Sequence, residues 1–169
     1  MKLVGLALIA AAGVFLGVMA SQNLRRRALA LEQMEKLIVR LSSQIKYTAA
    51  PVQELLPAAM KSGEYEALRF LGPLREGLAQ ESDFPRLWEA AVAGRGGDCG
   101  FTLQDKALLC EFGRGLGVSD LEGTQSHCGL YRDLFHKQAE AARQDVSSKG
   151  RLYITLGIAG GLGLALLLL

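Results

Sequence analysis

This chain of 169 residues has few cysteines, no recognisable cluster of catalytic residues and little net charge. The three cysteines, Cys99, Cys110 and Cys128, do not form the closely spaced pairs that are typical of zinc sites. The two histidines, His127 and His136, have no recognisable Ser or acid partners in a catalytic spacing, and we expect them at the surface or its boundary. We therefore predict no catalytic, cofactor-binding or metal-binding residues and no small-molecule substrate. A net charge of only +2 also argues against nucleic acid as a partner.

Charge is absent altogether from two long segments near the ends of the chain. Residues 3–20 and 152–169 contain no Asp, Glu, Lys or Arg and consist almost wholly of apolar residues. Such a run is typical of a membrane-spanning helix, because a helix satisfies its own peptide groups in lipid and about 18 residues rise roughly 27 Å. The sequence thus predicts transmembrane helices over 1–21 and 151–169, with a domain of residues 22–150 between them.

Basic residues mark the inner end of both apolar segments. Arg25, Arg26 and Arg27 follow the first segment, and Lys149 and Arg151 precede the second. Because such clusters stay on the cytoplasmic side, we expect a protein of the cell membrane whose central domain is cytoplasmic. Because the cytoplasm is reducing, we expect Cys99, Cys110 and Cys128 to be free thiols.

A cleaved signal peptide is the alternative interpretation of the first segment. Lys2 supplies the charged start, and the small residues of VMAS offer a cleavage site before Ser21. The triple arginine that follows favours the membrane helix.

The central domain has the periodicity of α-helices. Apolar residues recur at threes, fours and sevens after the first segment and again near the end of the domain, and no alternating pattern indicates a strand. We predict an all-α bundle of about six helices. The stripes consist of Leu24, Leu31, Met34, Ile38, Leu41 and Ile45 in the first helix, and Leu121, Cys128, Tyr131, Phe135, Ala142 and Val146 in the last.

Capping and breaking residues divide the remainder. Gly72-Pro73 predicts a break in the third helical region, and residues 94–100 (GRGGDCG) are expected to form a loop. The predicted helix N-caps are Ser82 or Asp83, Thr102 with Asp105 as a capping box, and Ser119 or Asp120.

The stretch EFGRGLGVSD, residues 111–120, raises the question of a phosphate-binding loop. It matches neither nucleotide-binding glycine pattern, it follows a predicted helix, and Asp120 would place a negative charge where the phosphate should bind. We interpret it as the end of the fifth helix, with Gly117 in a left-handed conformation.

Glycines also recur within the two apolar segments. Gly13 with Gly17, and Gly157 with Gly161, have the spacing that lets membrane helices approach closely. We predict that these residues pack the helices.

Four features in order resemble the stage III sporulation protein AB family of endospore-forming bacteria. They are a short N-terminal span followed by basic residues, YTAAPVQE (47–54) with Trp88, FGRGLGVSDLEGTQ (112–125), and KGRLYITLGIAGGLGLALLLL (149–169). The most specific residues are Leu116, Gly117, Ser119, Asp120 and Gln125, followed by Lys149, Tyr153 and Leu156-Gly157 at the start of the second span.

The resemblance implies a function without catalysis. Family members belong to a channel or secretion-like complex in the mother-cell membrane around the forespore, and their cytoplasmic domain is similar to the F protein of type II secretion. The expected partners are the stage III sporulation protein AA ATPase and other channel proteins. The alternative is a membrane-anchored thiol-dependent or metal-dependent enzyme that uses Cys99, Cys110 or Cys128.

Overall fold

The computed structural model describes residues 2–48, 50–60, 63–79, 83–116 and 121–167, except for the side chains of 2–10, 154, 161, 162 and 164–167. These residues contain no strand, and the predicted all-α class is confirmed. A short 3-10 helix, Gly96–Cys99, joins the fourth and fifth helices. The helices are α1 (Lys2–Thr48), α2 (Val52–Met60), α3 (Leu71–Leu78), α4 (Phe84–Arg95), α5 (Leu103–Gly115) and α6 (Leu121–Leu167).

The chain divides into two compact units. The paired-helix unit consists of Met1–Ala28 and Glu140–Leu169, and the domain unit consists of Leu29–Ala139. Helices α1 and α6 therefore contribute residues to both units. Within the residues described above, no helix offers a stretch long and apolar enough to cross a membrane.

The core of the domain unit contains five of the six residues of the predicted α1 stripe; the sixth, Leu24, belongs to the paired-helix unit and is half-buried. Leu31, Met34, Ile38, Leu41 and Ile45 are all buried, as the helical period predicts. The stripe of α6 is only partly buried. Its members Cys128 and Phe135 are fully buried, whereas Leu121 in the first turn of α6 is 46% exposed.

Two predicted helix N-caps are present. Asp83 accepts a hydrogen bond from the backbone N–H of Arg86 at 3.3 Å. Thr102 accepts one from the N–H of Asp105 at 3.2 Å, and the Asp105 carboxylate accepts one from the N–H of Thr102 at 2.9 Å. The capping box is thus confirmed, and it satisfies two donors that a helix start otherwise leaves unpaired.

Gly72-Pro73 does not break a helix. Both residues lie in the first turn of α3. The missing N–H of proline costs little there, because the first N–H groups of a helix have no acceptor within the helix.

The expected loop at 94–100 is more ordered than the glycines suggested. Helix α4 continues through Gly94 to Arg95, and the 3-10 helix follows at once. Gly100 then caps the 3-10 helix with a φ of +78°, a left-handed conformation that glycine adopts readily. The predictions for Ser82, Gly117, Ser119 and Asp120 lie outside the described residues.

Candidate functional site

The glycine-rich stretch of the domain unit lies against the fully buried ring of Trp88. Helix α5 continues to Gly115, so Gly113 is a helical residue. A Cβ atom on Gly113 would overlap the indole and lie only 2.6 Å from Trp88 Nε1. The ring cannot easily move away, because Nε1 donates a hydrogen bond to the carbonyl of Leu109 at 2.7 Å. Glycine at 113 is therefore required by the packing of α4 on α5.

Gly115 performs the same function for His127 of α6. A Cβ atom there would overlap the imidazole and lie 2.7 Å from Nδ1. The ring stacks on Phe112 with centroids 5.6 Å apart, and Nε2 lies 2.9 Å from the Phe112 carbonyl oxygen. A carbonyl can only accept, so Nε2 carries the proton in this contact. His127 thus satisfies one of the unpaired carbonyls at the end of α5, and its predicted boundary position is confirmed by its partial burial.

The described residues of the family motif lie at the end of α5 and the start of α6. Leu116 is buried, and its N–H donates to the carbonyl of Gly113 at 3.3 Å. Gln125 is half-buried on α6. Sequence reasoning did not identify Trp88 or His127 as the partners of the motif glycines. The signal that could have identified them is the presence of Gly113 and Gly115 inside a predicted helix. Glycine lowers the stability of a helix interior, so two such residues indicate close packing against another segment.

The paired-helix unit brings three of the predicted packing glycines together. A Cβ atom on Gly157 would lie 2.6 Å from the carbonyl oxygen of Gly13 and 3.2 Å from the Cα of Gly17. Gly150, which precedes Gly157 on α6, lies beside Ser21, which follows Gly17 on α1. Because the contacts run in opposite order along the two helices, the helix segments are antiparallel. Gly161 belongs to α6, but its surroundings lie outside the described residues.

Large apolar side chains of this unit point outward. Phe15, Leu16 and Leu156 are 63%, 66% and 57% exposed, whereas Gly17, Ser21 and Gly150 are buried. A pair of helices in water normally buries its large apolar residues and exposes its polar ones. The arrangement here is the reverse, with small residues at the contact and large apolar residues at the surface.

Four basic residues of this unit differ in whether an acidic side chain binds them. Asp145 binds both Arg27 and Lys149, with N–O distances of 3.7 Å and 2.7 Å. The hydrogen bond from Lys149 to Asp145 is the largest cause of the raised pKa of Lys149. Arg25 and Arg151 are exposed and have no acidic partner among the described residues.

The three cysteines lie in the domain unit as free thiols. Burial raises the pKa of Cys128 to about 11. Burial is also the largest cause of the raised pKa of Cys99 and of Cys110, and Glu89 contributes to the shift of Cys110. A nucleophilic or metal-binding cysteine needs a thiolate, so these environments disfavour both functions. No group of His, Cys, Asp and Glu among the described residues has the arrangement of a metal site.

The cysteines should react with a thiol reagent in a definite order. In a short iodoacetamide pulse at pH 8, Cys110 should react first because it is partly exposed, whereas Cys99 and Cys128 should react only after unfolding. Burial places the pKa of Cys128 in the folded chain at about 11, above the ordinary thiol value of 9.0, so the folded state loses stability as the pH rises from about 9 towards 11. Mass spectrometry of the folded chain and of a urea-unfolded control measures the order. Equal labelling of Cys110 and Cys128 in the folded chain would contradict it.

Comparison with known proteins identifies one family. Searches against curated proteins and against solved structures gave no significant match. A family model described as stage III sporulation protein AB matches residues 2–169, which is essentially the whole chain. Because the match covers essentially the whole chain, the protein belongs to the stage III sporulation protein AB family and has a role in sporulation.

Proposed function

We propose that the paired-helix unit is a membrane hairpin that anchors the domain unit on the cytoplasmic face. The observation that carries this proposal is the reversed packing, with glycines at the contact and residues such as Phe15 and Leu16 outside. In water such a surface favours aggregation, whereas in lipid there is no penalty for exposing large apolar residues. The uncharged segments 3–20 and 152–169 and the five basic residues beside them agree with this topology.

The topology predicts that the domain unit is shielded from reagents outside the cell. Leu103 is 86% exposed, so Leu103→Cys places a thiol at the surface without changing the core. In intact cells a membrane-impermeant maleimide should label this variant no more than the parent chain, and permeabilised cells should show strong labelling. Strong labelling before permeabilisation would overturn the topology. A mature chain that begins at Ser21 would support the signal-peptide alternative.

The domain unit acts, in this proposal, as a non-enzymatic platform of the sporulation channel between mother cell and forespore. It docks the stage III sporulation protein AA ATPase and other channel proteins. Support comes from the family match and from the environments of the three cysteines, of which Cys99 and Cys128 are buried and all have a raised pKa. A helical domain on a membrane anchor suits a protein that positions others by contact.

Copurification from sporulating cells tests the platform. A tagged full-length chain is crosslinked in cells, extracted in a mild detergent and captured, with an unrelated tagged membrane protein as the control. We expect the ATPase and other channel proteins to be enriched only with this chain. Recovery of neither, although the tagged chain is present in the membrane, would contradict the platform and leave the anchor unaffected.

A further inference from the structure

A basic hollow lies between α1 and α6 in the paired-helix unit. It has a volume of about 470 Å³ and is lined by Ser21, Arg25, Val146, Ser147, Gly150 and Arg151. Each helix supplies one arginine and one serine, and no acidic side chain is among the lining residues. The absence of a side chain at Gly150 keeps the space beside Ser21 open, since a Cβ atom there would lie 3.5 Å from the serine Oγ.

The hollow is positively charged because the nearby acidic residue Asp145 binds other basic residues. Asp145 is already engaged by Arg27 and Lys149, which lie outside the hollow. Arg25 and Arg151 have no acidic partner among the described residues, and Arg151 directly precedes the uncharged segment 152–169. Two guanidinium groups that face one space are suited to a phosphate group, because each can donate two parallel hydrogen bonds to its oxygens.

We propose that this hollow binds the phosphate of an acidic phospholipid. The inference rests on the proposed membrane hairpin, which places the hollow at the level of the lipid headgroups on the cytoplasmic side. Arg25 and Arg151 bind the phosphodiester oxygens, and Ser21 donates a hydrogen bond from its hydroxyl. The outward-facing apolar residues Leu152 and Leu156 continue from the hollow along α6 and lie beside the acyl chains.

Nanodiscs of two compositions test the proposal with the full-length chain. One contains phosphatidylcholine alone, and the other contains phosphatidylcholine with one fifth phosphatidylglycerol. The chain is then extracted in mild detergent, and its bound lipid is measured by native mass spectrometry. Arg25→Gln and Arg151→Gln are compared with Arg26→Gln, which removes the same charge from an exposed neighbour that does not line the hollow.

We expect retention of phosphatidylglycerol over phosphatidylcholine, and a loss of about fivefold with Arg25→Gln or Arg151→Gln. Arg26→Gln should retain the lipid, and Arg25→Lys should retain part of it. An equal loss with Arg26→Gln, or no preference for phosphatidylglycerol, would overturn the site. If inorganic phosphate binds the detergent-solubilised chain as tightly as short-chain phosphatidylglycerol, the hollow is a free-anion site and the lipid assignment fails. Failure to enter either nanodisc would instead contradict the membrane hairpin.

Discussion

Gly113→Ala should lower the free energy of unfolding by about 2 kcal/mol. The added methyl group would overlap the Trp88 ring, which is fully buried and lies against Phe70 and Phe112 with ring centroids 5.4 Å and 5.9 Å away. Alanine gains up to about 1 kcal/mol in a helix interior, but overpacking of a rigid core costs more than that when the neighbour cannot turn aside. Thermal and denaturant unfolding of the full-length chain in mild detergent measure the change.

Gly129→Ala is the matched control for this prediction. Gly129 lies within α6, and a Cβ atom there would meet nothing within 4 Å. This variant should be as stable as the parent chain or more stable by up to about 1 kcal/mol. Trp88→Leu should reduce the penalty of Gly113→Ala in a double-mutant cycle, since leucine can change its rotamer. If Gly113→Ala and Gly129→Ala have the same effect, the close contact with Trp88 does not govern the stability of the domain unit.

Gly157→Leu should separate the two helix segments of the paired-helix unit. The side chain would have to occupy the space of the Gly13 carbonyl and the Gly17 Cα, and backbone atoms cannot yield as a flexible side chain can. A Ser21→Cys, Gly150→Cys pair reports the separation, because the serine Oγ lies 3.5 Å from a Cβ atom built on Gly150. We expect efficient disulfide formation under oxidising conditions in the otherwise unchanged chain and a severalfold lower yield when Gly157→Leu is added.

Gly160→Leu is the control that distinguishes a loss of helix packing from the effect of adding an apolar side chain. It adds the same side chain three residues away, where a Cβ atom meets nothing within 4 Å. Its disulfide yield should equal that of the parent chain, and the unfolding of the domain unit should be unchanged in both variants. Equal yields with Gly157→Leu and Gly160→Leu would show that the glycine contact does not hold these segments together.

Much of the fold could be predicted because it depends on neighbours within about four residues. The period of Leu31, Met34 and Ile38 gives α1 its buried stripe, and the capping box needs only Thr102 and Asp105. The errors occurred where a local rule depends on position within an element. Pro73 was expected to break a helix, but in a first turn its missing N–H has no consequence.

The candidate sites were less predictable, since their residues come from distant parts of the chain. In the sequence, the triple arginine and the Lys149, Arg151 pair all indicate the same thing, the cytoplasmic side of the membrane. Only the structure separates the residues bound to Asp145 from the two that line the hollow. That division depends on the register of α1 against α6, to which residues more than one hundred positions apart contribute.

By itself, the sequence determined the helical class, the two uncharged segments, the helix N-caps at Asp83 and Thr102 and the family resemblance, because each follows from composition or from contacts between near neighbours. Only the tertiary structure showed which group each glycine faces. Gly113 and Gly157 face an indole ring and a helix backbone, whereas Gly129 and Gly160 face open space. The spacing of Gly157 and Gly161 predicted a packing function, but nothing in the local sequence distinguishes Gly113 from Gly129, since the space available to a Cβ atom is set by whichever distant segment folds against it.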